Sequence, residues 1–239
     1  MVMIPKAKVG KWRLIAMLVT PYRIWAREAG EDVSRWMSSL NREWVANGPS
    51  KAAESAAYDI ALDTEGSQLE GEMVNVTVMA DLEKGFERVR HDVIRKKAKV
   101  YGFPERILEP ALSMYKAARR IRYGSAYSRA VYTKVGVLAG CPIAMGLLLL
   151  AVLEPVDLFW KTVPRELVSL KVYVDDFALS FAFKKQEATD DLIACRIVRT
   201  YLQLRDNLAQ RGLFWASDKN ALTASHKYIA THIQKIFKL

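Results

Sequence analysis

Apolar and polar positions alternate most sharply between Val74 and Asp81. Val74, Val76 and Val78 fall on one face of an extended chain; Asn75, Thr77, Met79 and Asp81 fall on the other. The stretch predicts a strand that ends at Asp81, on its more polar face. A second region, Leu167 to Phe183, is rich in Val, Leu and Phe and is broken by Asp175-Asp176. Two strands around an acidic turn predict a hairpin with both carboxylates at its tip. Helical spacing follows in Ile193, Ile197, Tyr201, Leu204 and Leu208, with Thr189 at the start, Asp190 and Asp191 in the first turn and Gly212 past the end. The apolar run Ile143 to Leu153, opened by Pro142 and closed by Glu154-Pro155, predicts a buried helix, with Met145 and Leu147 to Leu150 in the core.

The remaining elements are less sharply patterned. Lys6 to Asn47 reads as an extended segment followed by helix, and Asn47-Gly48-Pro49-Ser50 as a break. Ser50 is the expected N-cap of an Ala-rich helix through Leu62, with Gly66 and Gly71 in the loop after it. A basic helix is expected over Asp92 to Tyr101, with His91 and Asp92 as capping groups, and another from Pro104 that Pro110 disturbs. Strand, helices, hairpin and helix in this order predict a mixed α/β (α+β) fold with an antiparallel sheet backed by helices.

Composition narrows the function classes. The chain has 239 residues, 51% hydrophobic and 26% charged, long enough for a core that needs no disulfide or metal staple. Two cysteines and three histidines exclude a disulfide framework and a zinc site of the usual spacing. The longest apolar run is well under the ~20 residues that cross a bilayer, so no membrane partner is expected. No secretory leader is apparent, and the chain reads as intracellular. Lys and Arg number 36 against 26 Asp and Glu, a formal charge of +10, which favours a polyanionic partner. Twelve Lys/Arg against four Asp/Glu lie between Lys84 and Gly124, so the charge is concentrated just after Asp81.

If the strand and the hairpin are neighbours in one sheet, Asp81 and Asp175 would face each other and, with Asp176, form a histidine-free carboxylate set. Such hard oxygen donors suit Mg²⁺, and a pair of Mg²⁺ ions can serve transfer chemistry at phosphate. Tyr173-Val174-Asp175-Asp176 between apolar flanks resembles the signature hairpin of reverse transcriptases. Asp81-Leu82-Glu83-Lys84-Gly85-Phe86 resembles their upstream metal-binding motif, in the form typical of non-LTR retrotransposons and group II introns. Gly136 to Pro142 is similar to the family's glycine-rich motif, and Gly212-Leu213 through Ser217-Asp218-Lys219 to its lysine motif. Ile4-Pro5-Lys6 and Trp12-Arg13-Leu14-Ile15 resemble its N-terminal basic segment.

The resemblance implies an RNA-directed DNA polymerase core with right-hand fingers and palm. Residues 1–72 would belong to the fingers and 73–239 to the palm, with about 93–135 returning to the fingers. It implies dNTP substrates and an RNA template with a DNA primer. Two Mg²⁺ ions, with Mn²⁺ as a substitute, would be held by Asp81, Asp175, Asp176 and the Leu82 carbonyl. Lys219 would protonate the leaving pyrophosphate. Lys6 and Arg13 would neutralise the triphosphate, Phe86 would exclude a 2′-hydroxyl, and Ala139 and Gly140 would line the nucleotide site. Lys96, Lys97, Lys99, Arg119, Arg120 and Arg122 would track the nucleic-acid backbone. Nuclear action is implied by the same resemblance.

The chain departs from the pattern at Ala139, where the family usually has Gln. It departs again at Ala144 and Met145, and at Glu87 in place of Asp. Lys227-Tyr228-Ile229 resembles the start of the primer grip, and no thumb follows before Leu239. These departures favour a second expectation, a catalytically inactive, truncated remnant that binds RNA or hybrid duplex. An RNA-directed RNA polymerase is a third, opposed by the bulk of Phe86.

Overall fold

In the computed structural model, residues 1–5, 12–48, 53–69, 73–184, 186 and 189–237 are described. They fall into two compact units, one of Met1–Leu40 with Lys84–Ala151 and the other of Asn41–Glu83 with Val152–Leu239.

The first unit begins with β1 (Val2–Pro5) and β2 (Trp12–Ile15), antiparallel to each other. Helix α1 (Thr20–Ser39) starts with Pro21 in its first turn and buries Ala26, Ala29, Val33, Trp36 and Met37, a stripe at helical spacing. Among the elements of the second unit, α2 (Ala53–Leu69) and β3 (Met73–Asp81) come next in the chain. The first unit resumes with α3 (Gly85–Arg88), α4 (His91–Val100), α5 (Glu105–Lys116) and the short hairpin β4 (Arg122–Tyr123) and β5 (Ala126–Tyr127). These four strands make one sheet in the order β2-β1-β4-β5, in which β1 and β4 run parallel. Inside this unit Trp36 Nε1 donates to the Tyr101 carbonyl at 2.8 Å and meets the Phe103 ring edge-on, centroids 4.9 Å apart.

Helix α6 (Ala144–Thr162) contributes residues 144–151 to the first unit and 152–162 to the second. In the first unit a Cβ on Gly146 would run into Val33 Cγ1, so this glycine sets how closely α6 lies on α1. Leu147 to Leu150 are buried as expected, whereas Met145 is 42% exposed and not in the core.

The second unit is completed by β6 (Ser169–Tyr173), β7 (Asp176–Lys184), α7 (Asp190–Ala209), β8 (Ala221–Ala224) and α8 (Lys227–Phe237). Its sheet is antiparallel throughout, in the order β6-β7-β3-β8. Directly opposed residues share a face, so the register divides the sheet cleanly. Val74, Val76, Val78 and Ala80 lie with Phe183, Phe181, Leu179 and Phe177 and, further across, with Leu170 and Val172. All ten are buried. Asn75, Thr77, Met79 and Asp81 share the opposite face with Ala182, Ser180, Ala178 and Asp176. Thr77 and Ser180 join hydroxyls there at 3.1 Å. Being central, β3 is buried on both faces as far as Val78, and not on the Val74–Val78 face alone.

Several expectations on element ends are corrected. Helix α6 does not stop at Glu154-Pro155. Pro155 removes one helical hydrogen bond, a loss offset by the burial of Val152, Leu153, Val156 and Phe159 around it. The Pro155 carbonyl accepts from Asn207 Nδ2 at 3.2 Å. In the same way α5 continues through Pro110, because Ile107, Leu108, Ala111 and Leu112 are buried on either side. Gly66 lies inside α2, which runs past Leu62 to Leu69. Ser50 and Gly71 lie outside the described residues. The expected cap of α7 is present, with Thr189 Oγ1 accepting from the Leu192 amide at 3.4 Å.

Candidate active site

The carboxylates assemble in the second unit. Asp81 ends β3, Asp176 opens β7, and the register sets the two directly opposite on the sheet's polar face. The hairpin tip is Val174-Asp175, and Asp176 is already paired with Tyr173 across the ladder. Only one of the two adjacent carboxylates therefore sits at the tip. The Leu82 amide donates to the Asp175 carbonyl at 3.0 Å, which ties the tip to the end of β3. Val174 has φ +61°, a left-handed conformation that a β-branched residue adopts at a cost. The two-residue tip with positive φ at its first position follows the II′ pattern that normally takes glycine. The ladder on both sides holds Val174 there.

A third segment closes the group. Ala216 N donates to the Asp81 carbonyl at 2.7 Å, and Glu83 N to the Phe214 carbonyl at 2.8 Å, so residues 214–216 run antiparallel to 81–83 with Leu82 opposite Trp215. The Trp215 ring packs edge-on to Phe177, centroids 4.8 Å apart, and against Tyr201 at 6.1 Å. This anchored strip carries the chain to Lys219, whose Nζ donates to Asp81 Oδ2. Trp215 is a positioning residue that sequence reasoning did not single out. Its signal was present as an aromatic between Leu213 and Ala216, both buried, in a segment read only for its lysine.

The electrostatics follow from crowding. Burial, with Asp176 and Asp81 beside it, raises the Asp175 carboxyl above the ordinary aspartate range. Burial and then Asp81 raise Asp176 as well. The hydrogen bond to Asp81 raises the Lys219 ammonium, which stays protonated at neutral pH. The donor set is hard oxygen under like-charge repulsion, so a cation stabilises it, and its chemistry fits a divalent ion such as Mg²⁺. Lys219 supplies positive charge at Asp81 here. Among the described residues no group of three or more His, Cys, Asp or Glu side chains converges tightly enough to hold a metal.

The other expected site residues belong to the first unit. Phe86 lies in α3, half-buried, and its carbonyl accepts from the Val137 amide at 2.8 Å, which ties it to the glycine-rich loop. Gly136 has φ +86°, and a Cβ there would sit 3.0 Å from the Glu87 carbonyl oxygen, so both space and conformation require glycine. Ala139 and Gly140 are exposed at the turn of this loop. His91 is not a helix cap: it is buried, and its Nε2 bonds the Gly136 carbonyl at 2.8 Å. Nε2 is the donor in that bond, and burial first of all depresses the imidazole's pKa. Asp92 is paired with Arg90 at 2.8 Å. At the loop's far end, Tyr22 and Cys141 meet at 3.4 Å through hydroxyl and thiol. Arg13 is opposite Ile4 in β2, but its side chain lies outside the described residues, and Lys6 lies outside them altogether.

An antiparallel sheet with one aspartate ending its central strand beside an Asp-Asp hairpin, in a mixed α/β chain, is the fold of the fingers–palm polymerases. The family model described as reverse transcriptase (RNA-dependent DNA polymerase) matches residues 4–233. The chain belongs to that family, a family of nucleotidyltransferases that generally use divalent metals. No curated protein matches it.

Solved structures with this fold include a telomerase from Candida tropicalis in complex with a TWJ fragment of telomeric RNA. It has 13% identity and TM-score 0.64, over 94% of this chain and 40% of that one. An apo telomerase from Candida tropicalis truncated from its C-terminal domain has 13% identity and TM-score 0.56, over 86% and 41%. A telomerase from Candida albicans with a TWJ fragment of telomeric RNA has 15% identity and TM-score 0.52, over 84% and 34%. The chain thus spans between a third and two fifths of the length of these proteins.

Proposed function

We propose that this chain is the core of an RNA-directed DNA polymerase of the non-LTR retrotransposon and group II intron type. The observation that carries the reading is the direct opposition of Asp81 and Asp176 with the Asp175 carbonyl bonded to the Leu82 amide. Asp81, Asp175, Asp176 and the Leu82 carbonyl would hold divalent ions, Mg²⁺ first and Mn²⁺ as a substitute. When bound, such ions sharpen the attacking hydroxyl and neutralise the departing phosphate. In the reaction the primer 3′-oxygen bonds the α-phosphorus of a dNTP, the α–β phosphoanhydride breaks and pyrophosphate leaves. The hydroxyl proton passes to water. Lys219, held protonated, leaves Asp81 to give its Nζ proton to the pyrophosphate. Phe86, five residues after Asp81, excludes a 2′-hydroxyl by bulk, and the backbone at Ala139 and Gly140 supports the nucleotide. The telomerases of this fold solved with RNA support an RNA template.

The test is dNTP incorporation on an RNA template with an annealed DNA primer, in Mg²⁺ and in Mn²⁺, beside Asp175→Asn. Extension by the wild type and a loss of about 10³-fold in the variant is the expected result, the order that removal of one strongly stabilising group costs. Equal rates in the two proteins would sink the assignment. Ala139, where the family usually has Gln, and the Lys219 pairing at Asp81 favour a second reading, an inactive module that binds RNA or hybrid duplex. Duplex binding without extension in either metal would select it.

A further inference from the structure

The sheet of the first unit is built from two segments that contain no acidic residue at all. Residues 1–27 hold six Lys/Arg and no Asp or Glu, and residues 110–153 hold another six and none. All four strands β1, β2, β4 and β5 come from these segments. Elsewhere in the same unit four arginines are paired: Arg35 and Arg106 with Asp32, Arg90 with Asp92, Arg95 with Glu109. Arg120, Arg122 and Arg129 are exposed, and none makes an ion pair among the described residues. Arg122 is instead fixed by donating Nε–H to the Gly124 carbonyl at 2.8 Å.

Aromatic rings stand among these charges. Trp12 meets Tyr123 edge-on, centroids 5.4 Å apart and planes at 88°, and the two are 42% and 59% exposed. Arg122 lies over the Tyr127 ring, 5.9 Å from its centroid, and Tyr127 is 62% exposed. An exposed aromatic normally gains by burial; here two rings brace each other in water with their outer faces open. Fixed rings beside unpaired guanidinium groups match the flat bases and phosphates of a single strand, which a duplex hides by stacking its own bases.

We infer that the β4–β5 hairpin with Trp12 is a stacking platform for single-stranded RNA, sequence-tolerant and built from residues of the first unit alone. It adds base stacking by aromatic rings to the RNA-backbone contact that the polymerase reading implies for Arg120 and Arg122, and it does not depend on catalysis. Trp12 and Tyr123 stack on bases, while Arg120, Arg122 and Arg129 neutralise phosphates.

Fluorescence anisotropy of the full chain with a labelled oligouridine, at two or more salt concentrations, tests it. Trp12→Ala and Tyr123→Ala should each weaken binding about tenfold, and Tyr123→Phe should restore it. Arg122→Gln should lower the salt slope by about one. Tyr58→Ala, an equally exposed tyrosine of the other unit, should change nothing. Unchanged oligouridine affinity in both Trp12→Ala and Tyr123→Ala would overturn the platform, as would a dimer that those variants dissociate without affecting RNA. The catalytic reading is judged on a different protein: Asp175→Asn should bind oligouridine like the wild type while failing to extend a primer. Loss of the platform leaves that failure intact, and an inactive wild type leaves the platform intact.

Discussion

The two sheets of this chain handle the same demand, placing charge at a surface, in opposite ways. In the second unit β3 is paired along nine residues with β7 and is flanked by β8 on its other side. Ten buried apolar side chains lie on one face, and the charges are gathered at one end. In the first unit the sheet has four-residue and two-residue strands, exposed rings and scattered cations. A long central strand can hold Asp81 at 8% exposure beside two other carboxylates, because the ladder opposes their repulsion. A short edge hairpin could not, and it carries charges that do not need to be held together. Precise chemistry goes with the rigid sheet, and adaptable contact with the exposed one.

That contrast can be broken first at Phe177. It is 1% exposed, faces Ala80 and Val172 across the ladder and packs on Trp215. Phe177→Ala should cost about 3–5 kcal/mol, seen as a large drop in the denaturant midpoint. A loss below about 1 kcal/mol would mean that the carboxylate sheet is not the rigid one. Gly146→Ala sharpens the point in the first unit, since its Cβ would collide with Val33 and force α1 and α6 apart. We expect a loss of about 1–3 kcal/mol. The first unit is thus tightly packed between its helices, and only its sheet is left open.

The carboxylates should show their strain as pH dependence. Asp175 and Asp176 have raised pKa values in the folded chain, so the fold binds their protons more tightly than the unfolded chain does. Between the ordinary aspartate value of about 4 and the raised values, stability therefore falls as pH rises. Lys219 gives the same slope in a higher window, since its raised pKa contributes stability that is present at neutral pH and lost only as alkaline pH passes through the folded value. Asp175→Asn should accordingly raise the Tm at pH 7 while it removes activity, and the gain should vanish below pH 4 or so. A Tm that is lowered at pH 7 would show the carboxylate to be structural.

The difference between the sheets also decided what could be read in advance. Period-two alternation in Val74 to Asp81 exposed β3 because one face is apolar throughout, and the flanks of Asp175 exposed the hairpin. The order of strand and hairpin left open whether they are neighbours; the resemblance of their motifs to those of the polymerase family is what anticipated that Asp81 and the Asp-Asp pair would meet. The hairpin β4–β5 has two residues per strand, too few for a period, and was not anticipated. A helix end at Pro155 and a disturbance at Pro110 were expected because proline reports only its local cost, while the burial that offsets it depends on packing against other elements. His91 was misread for the same reason: its partner, the Gly136 carbonyl, is 45 residues away. A long-range polar contact leaves no periodic trace.

The smallest expected effect is the most telling for the comparison. Tyr123→Ala and Trp12→Ala remove large aromatic groups, which in a core would each cost about 3–5 kcal/mol. Both rings are exposed, and they pack edge-on against each other. Stability should therefore move by no more than about 0.5 kcal/mol, read from the same denaturant midpoint as Phe177→Ala. If either change destabilises the chain as Phe177→Ala does, the rings are holding the sheet together and the difference between the two sheets disappears. If stability stands still while oligouridine binding falls, the rings are maintained for a partner and not for the fold, since little in the folding energy would select for two large aromatics in water.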